Sequence, residues 1–365
     1  MKVKLIIGCS EINSDLYYAT KFLAPDDFIY LEKADGKKII YINAMEFSRA
    51  REDARVDEVI NSSIYPSKYK SVLHWVVAAG GLTEVVVPED FPIKYGEILR
   101  KARVRIEIKS GIFFEEREIK DEEEIKNIKA AQRVNEKGMK SAIETIRKSK
   151  IRKDGKLEYK NKIVTSEFLK EIVDIEFLRG GCKSDVNIVS CGKDSAQPHN
   201  MGSGPLRGNE PIIIDLYPRS VKTRYFADMT RTVVRGRASE EIRKIYSTVL
   251  SAQRRALESV RAGIKISSLE KNVREQFHGA GYETEHDDKV SQGFIHSLGH
   301  GVGLDIHEAP FVGRMNENEL KAGNIITIEP GLYFPKIGGV RIEDMVLVKD
   351  GGSENLTKFP KTLEI

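Results

Sequence analysis

Apolar positions recur with two different periods along this chain, and the way they are mixed changes near residues 115–125. Before that point short β-rich runs alternate with helix-like stretches. VKLIIG, DFIYLEK, KKIIYIN and TEVVVPE read as strands. Asp35-Gly36 lies between the second and third of these and suits a tight hairpin turn. The stretch from Tyr69 to Ala79, around Trp75, has helical character and is closed by Gly80-Gly81. Residues 1–118 are therefore expected to form an α/β domain. Its one histidine, His74, is expected on a helix surface.

Beyond the break the spacing becomes that of amphipathic helices. In EREIKDEEEIKNIKAAQRVNEKGMKSAIETIRK, residues Ile125, Ile128, Met139, Ala142, Ile143 and Ile146 recur on a charged background. This predicts one long helix with Asp121 and the following glutamates at its positive end. A second helix is expected from Thr165 to Leu178 with Ser166 as its cap. A third begins at Ser239, with Ile242, Ile245, Val249, Ala256 and Val260 as its buried stripe and Gly263 as its stop. A fourth covers roughly Ser268 to Gly279. Strands lie between and after these helices without strict βαβ alternation. Residues 119–365 are accordingly expected to be an α+β domain rather than a parallel one.

Those later strands carry acids in unusual places. IIIDLYP sets Asp215 in a β-branched run, and in FADMTRTVV a period of two puts Asp228, Thr230 and Thr232 on one face. A hairpin joined by PRSVKTRY brings Asp215 beside Asp228, where two carboxylates repel unless a cation lies between them. For this pair alone, a structural ion pair to Arg231 or Arg224 is the competing explanation. IITIEPG and VRIEDMVLV repeat the arrangement with Glu329 and Glu343. Pro330, Gly331, Pro335, Gly338 and Gly339 supply the reversal between them. Arg341 shares a face with Glu343 and is placed to bond a ligating carboxylate. An ion pair of Glu343 to Arg341 or Lys336 is the alternative here.

Histidines cluster in the same half. His296, His300 and His307 lie in FIHSLGHGVGLDIHEAP, and His199 follows Pro198 in SAQPHNMGSG. Glycines at 299, 301 and 303 argue against a helical zinc motif and allow close backbone approach. Four carboxylates and one imidazole, Asp215, Asp228, His300, Glu329 and Glu343, form an oxygen-rich set whose charge two divalent cations would balance. A dinuclear metal site follows from that balance.

Composition narrows the partners. The 365 residues hold 59 Lys and Arg against 55 Asp and Glu, a net charge of +4, with the two signs interspersed. No basic stripe points to nucleic acid. Cys9, Cys182 and Cys191 have no metal or redox spacing, as expected in a reducing compartment. The opening MKVKLIIGCSE has an apolar run too short for a signal peptide, and no later run is long enough to span a bilayer. A cytoplasmic protein without membrane partners is expected.

GHGVGLDIHE, TIEPGLY, GGVRIED and DMTRT together resemble the pita-bread metallopeptidases, the group of methionine aminopeptidase, aminopeptidase P and prolidase. The resemblance covers about residues 120 to 360. The first third is similar in size and pattern to the extra domain of the proline-specific branch. The resemblance implies a pita-bread catalytic domain, a small peptide substrate with proline second, and hydrolysis of the Xaa-Pro bond by a hydroxide shared between two metals (Mn, Co, Zn or Fe). A homodimer is implied as well. By the same resemblance Asp215 holds one metal, Asp228 and Glu343 bridge both, and His300 and Glu329 complete the other. Glu329 is also the proton acceptor. His199 and His307 match catalytic, substrate-contacting histidines, His296 a residue near the proline pocket and Arg341 an arginine behind the ligands, and the resemblance implies that His296 and Arg341 serve substrate binding. Thr230 lies near the metals. The family spaces its first two Asp ligands by about eleven residues, whereas Asp228 follows Asp215 by thirteen; the even insertion preserves side-chain parity. Two other readings stay open: a methionine aminopeptidase-like or other amide hydrolase, and a non-catalytic relative that binds a partner.

Overall fold

The computed structural model describes residues 2–286 and 291–365, in two compact units divided between Arg117 and Glu118. The first is a mixed six-stranded sheet. Its strands are β1 (Lys4–Gly8), β2 (Phe28–Glu32), β3 (Lys38–Ile42), β4 (Glu58–Asn61), β5 (Glu84–Pro88) and β6 (Arg105–Lys109), in the order β4-β3-β2-β1-β5-β6. Helices α1 (Ser14–Thr20), α2 (Ala44–Asp53), α3 (Val72–Gly80) and α4 (Ile93–Lys101) connect them. β2 and β3 pair antiparallel across the Asp35-Gly36 turn, where Gly36 has φ of 88°. α3 begins three residues later than its apolar pattern suggests, because the Ser71 side chain caps it by accepting from His74 N. Gly81 ends it in the left-handed conformation. Apolar side chains cover both sheet faces, Leu5, Ile7 and Leu31 on one and Ile6, Tyr30 and Ile40 on the other.

The second unit packs four helices on antiparallel sheets. α5 (Glu122–Lys148) starts at a reciprocal capping box in which Asp121 accepts from Glu124 N and Glu124 accepts from Asp121 N. It lies close against α6 (Ser166–Arg179): a Cβ on Gly138 would stand 2.6 Å from the Phe177 ring. α6 is capped by Thr165, not Ser166. The Ser166 hydroxyl is buried inside the first turn and donates to Val189 O. α7 (Glu240–Ser259) buries the expected Ile242, Ile245, Val249 and Ala256. It stops before Gly263, at Val260, whose extended backbone breaks the ladder; Gly263 serves the turn that follows. α8 covers Ile266–Gly279. α7, α8 and the strands around Ile326, Ile328 and Val346 share one core.

Two antiparallel sheets matter for the site. One has three strands, Ile188–Cys191, Ile212–Leu216 and Met229–Val233; Asp215 stands opposite Thr230, so the longer turn leaves parity intact. The turn between the second and third strands closes at Ser220–Arg224, where Arg224 N donates to Ser220 O at 2.9 Å and Arg224 adopts φ of 65°. The other sheet has five strands, among them Gly299–Gly301, Ile325–Ile328 and Asp344–Lys349. The hairpin expected between Glu329 and Glu343 is two ladders rather than one. Ile325–Ile328 pairs with Asp344–Lys349, while Gly331–Phe334 pairs with Gly338–Arg341 in a separate sheet.

Candidate metal centre

The break between those ladders is what assembles the site. Freed from each other, the two Glu segments bond elsewhere: Glu329 N donates to Leu298 O at 2.9 Å and Glu343 N to Thr230 O at 3.1 Å. The first contact ties Glu329 to the glycine-rich histidine segment, and the second ties Glu343 to the Asp228 strand. A Cβ at Gly299 would stand 2.1 Å from Thr327 O and one at Gly301 2.3 Å from Ala309 O, so only glycine admits this strand between its neighbours.

Asp215, Asp228, His300, Glu329 and Glu343 all line one cavity of about 500 Å³, together with His199, His296, His307 and Arg341. Ligand atoms of Asp228, His300 and Glu343 lie within 4.8 Å of one another. His300 Nδ1 faces Gly301 O at 3.1 Å, so that nitrogen carries the hydrogen and donates it. Nε2 is left facing Asp228 Oδ2 at 3.6 Å and Glu329 Oε1 at 3.3 Å. A lone pair aimed at two carboxylates is repulsive unless a proton or a metal ion lies between. Asp215 Oδ1 and Asp228 Oδ1 are buried without a hydrogen-bond partner among the described residues, an arrangement that native interiors avoid. The donor set thus fits divalent cations.

Titration directions tell the same story. Burial, then the charges of Glu343 and Asp215, push Asp228 well above the ordinary carboxylate range. Glu343 is raised by burial and by Glu329 and Asp215. Burial works against the Glu329 carboxylate too, but His300 outweighs it and holds Glu329 down at about 2. His300 is raised despite its burial, through Glu329. The cluster as a whole attracts positive charge.

Its supports are uncharged or paired. Thr230 Oγ1 donates to Glu343 Oε2 at 2.7 Å, and Glu343 forms no ion pair to Arg341 or Lys336 among the described residues. Arg341, 3% exposed, donates to Asp215 Oδ2 (2.7 Å), Tyr333 Oη (2.8 Å) and Thr230 Oγ1 (3.2 Å). It lines the cavity with its donors committed to protein atoms. Arg231 points to the other face of its strand and pairs with buried Asp344, not with Asp215 or Asp228. Tyr333 had no chemical signal in the sequence, yet it links Arg341 to His296. His296 Nδ1 donates to Ser297 O (2.7 Å), so Nε2 accepts from the Tyr333 hydroxyl (2.9 Å). Burial pulls His296 toward the neutral form that this chain of bonds requires. His307 stacks edge-on against His300, ring centres 4.3 Å apart. Lys120 and Glu308, both buried, are paired at 2.6 Å across 188 residues of sequence, directly after His307.

Comparison with known proteins settles the family. The model of metallopeptidase family M24 matches residues 126–350, more than half of the chain. The chain belongs to that family. A Xaa-Pro dipeptidase of Pyrococcus horikoshii is 34% identical over 329 residues, covering 89% of this chain and 85% of that protein. The crystal structure of a prolidase from Pyrococcus horikoshii superposes with a TM-score of 0.83 at 30% identity, covering 100% of this chain and 95% of that one. That of an X-Pro aminopeptidase from Thermotoga maritima does so at 0.81 and 25%, covering 100% and 98%. The catalytic unit is the α+β pita-bread fold of these M24 enzymes, preceded by a separate N-terminal domain.

Proposed function

We propose that this M24 peptidase hydrolyses the bond between an N-terminal residue and proline, with two divalent cations held by Asp215, Asp228, His300, Glu329 and Glu343. The observation that carries the reading is the meeting of these five side chains on one cavity, with His300 Nε2 facing two carboxylates and with Asp215 Oδ1 and Asp228 Oδ1 lacking a hydrogen-bond partner among the described residues. Likeness to a protein named Xaa-Pro dipeptidase over 89% of the chain supports the proline preference. Bound there, the cations would lower the pKa of water and polarise the scissile carbonyl.

The chain's own residues do the rest. Glu329, ionised at neutral pH, takes the proton of the attacking water and returns it to the proline nitrogen as the bond breaks. Arg341 fixes Asp215, and Thr230 fixes Glu343. His296, its ring locked by Tyr333 and Ser297, walls the space for the pyrrolidine. His199 and His307 border the cavity as donors to substrate carbonyl oxygens. Proline carries no N–H once acylated, so this site needs no acceptor for one. Mn, Co, Zn and Fe all suit carboxylate-rich ligation. We place the enzyme in the cytoplasm, in keeping with three free cysteines, and read it as a homodimer, which sedimentation checks.

The test is hydrolysis of Ala-Pro, Ala-Pro-Ala-Ala and Met-Ala by metal-stripped protein with single cations restored. Cleavage of proline peptides that depends on an added cation is expected. Cleavage only after Met transfers the chain to the methionine aminopeptidase-like reading, and none with any cation supports the binding-module reading. Glu329→Gln is expected to lower kcat at least a thousandfold; a rate near wild type removes the proton-acceptor role.

A further inference from the structure

Tyr217 lines the reaction cavity but takes no part in the chemistry above. It follows Asp215 by two positions, just past the strand Ile212–Leu216, and both side chains border the same space. Strand register fixes which side of the metal donors it occupies. Asp215 stands opposite Thr230, and Ile213 opposite Thr232. Arg341 is tied to that Thr232: its N donates to Thr232 Oγ1 at 3.0 Å, and Thr232 Oγ1 donates to Arg341 O at 2.9 Å. Arg341 therefore reaches Asp215 from the Ile213 side. Tyr333, paired with Gly339, and His296, bonded to Tyr333, stand behind Arg341 on that side. Tyr217 lies on the other side of Asp215, past the last pair of the ladder, Leu216 with Met229.

The Tyr217 hydroxyl has no hydrogen-bond partner among the described residues, whereas Asp215 is held by Arg341 and Glu343 by Thr230. The phenol is thus not a brace for the ligands. What it gives the cavity is a half-buried ring, beside two other apolar groups, Pro198 and Ile188. Ile188 stands opposite Asp215 in the neighbouring strand, so these groups surround the same end of the donor set. A peptide lies across the donors at its scissile carbonyl. With the pyrrolidine on the His296 side, the residue before it falls on the Tyr217 side. Resting on the Xaa-Pro reading above, we propose that Tyr217 selects the first residue of the substrate. Its ring, with Ile188 and Pro198, forms an apolar pocket for that side chain. An aliphatic side chain laid on the ring leaves water, and glycine gains nothing from it, so a first residue such as leucine is preferred to glycine.

Steady-state kinetics of the metal-loaded enzyme on Gly-Pro and Leu-Pro test this, with Gly-Pro-Ala and Leu-Pro-Ala alongside so that the pocket is probed whichever length is cleaved. Wild type is expected to favour the leucine peptide at least tenfold in kcat/KM. Tyr217→Ala is expected to lower that ratio at least fivefold, chiefly through KM, while Tyr217→Phe, which keeps the ring, holds it within twofold. Wild-type enzyme that cleaves the glycine peptides as well as the leucine peptides overturns the proposal, with no variant needed, and leaves the Xaa-Pro reading intact. An unchanged or increased ratio in Tyr217→Ala overturns it too. Cleavage of none of the four peptides overturns the Xaa-Pro reading and this proposal with it.

Discussion

Asp228→Asn should change stability in opposite directions with and without metal. Its ligand oxygen lies within 4.8 Å of donors on His300 and Glu343, and its Oδ1 has no hydrogen-bond partner among the described residues. Two ionised carboxylates at 4.8 Å, the outer limit of this cluster, repel by about 3.5 kcal/mol in surroundings of effective dielectric near 20, and the raised Asp228 and Glu343 relieve part of that by protonation. Stripped of metal, the amide variant loses that repulsion and is expected to melt at or above wild type. Restored metal reverses the order. A thousandfold excess over Kd stabilises wild type by about 4.1 kcal/mol, and a hundredfold weaker site at the same concentration leaves about 1.4 kcal/mol. The catalytic unit runs from 118 to 365, or 248 residues, a size at which 1 kcal/mol corresponds to about 2–4 °C. The metal-induced shift should therefore fall from about 8–16 °C to about 3–6 °C. Scanning calorimetry in chelator and in excess manganese measures both arms. An equal metal-induced shift in the two proteins, or a chelated variant melting well below wild type, refutes the idea that Asp228 is held in place by a cation.

Three more outcomes are expected. Arg231 donates to the carbonyls of Thr230, Glu343, Phe359 and Pro360 and pairs with Asp344, so Arg231→Met should cost about 3–5 kcal/mol in urea unfolding; a loss under 1 kcal/mol contradicts this. Gly202, at φ of 71°, would set a Cβ 1.9 Å from Val189 O, so Gly202→Ala should move the loop bearing His199. At least a tenfold loss of kcat/KM with unchanged bound metal is the expected reading, and unaltered kinetics would count against a role for that loop. Glu354 is held down at about 2 by Lys129 and Lys349. A carboxyl depressed on folding stabilises fully above its unfolded pKa of about 4.3 and loses that contribution as pH falls toward 2. With solvent screening, Glu354→Gln should cost about 0.5–1 kcal/mol at pH 7 and less at pH 3; a pH-independent difference in unfolding midpoint would contradict the ion-pair origin.

Much of this molecule is legible in its sequence because local periods coincide with burial. The α5 stripe, the α7 stripe and the Asp35-Gly36 hairpin each need only neighbouring residues to specify them. The Asp215–Asp228 hairpin was legible for a related reason: an even number of extra turn residues cannot turn a strand over, and the Asp215–Thr230 register shows it did not. Caps are harder to read. Thr165 and Ser166 are chemically alike and adjacent. Which one caps α6 depends on a distant carbonyl, Val189 O, that draws the Ser166 hydroxyl inward.

The break between the two Glu ladders has the same kind of cause, and it explains why the site forms at all. One continuous hairpin would satisfy the Glu329 and Glu343 backbones with each other. It would present a carboxylate pair on a sheet surface, with nothing to bring His300 or Asp228 near. The chain instead interrupts the ladder at those two residues and hands their N–H groups to Leu298 and Thr230, carbonyls from two other segments. Three sheets then share hydrogen bonds at the place where the ligands point. The glycines at 299 and 301 are the condition for it, since any side chain there would meet a backbone oxygen within 2.3 Å. Sequence pattern shows glycine and shows acid, but the partner of a freed N–H lies tens of residues away. Lys120 with Glu308 and Tyr333 with His296 are of the same type: long-range bonds that position the histidine segment, made by residues whose neighbours in sequence say nothing of them. The ligands could be read from local pattern, whereas their convergence depends on where interrupted strands find their next partners.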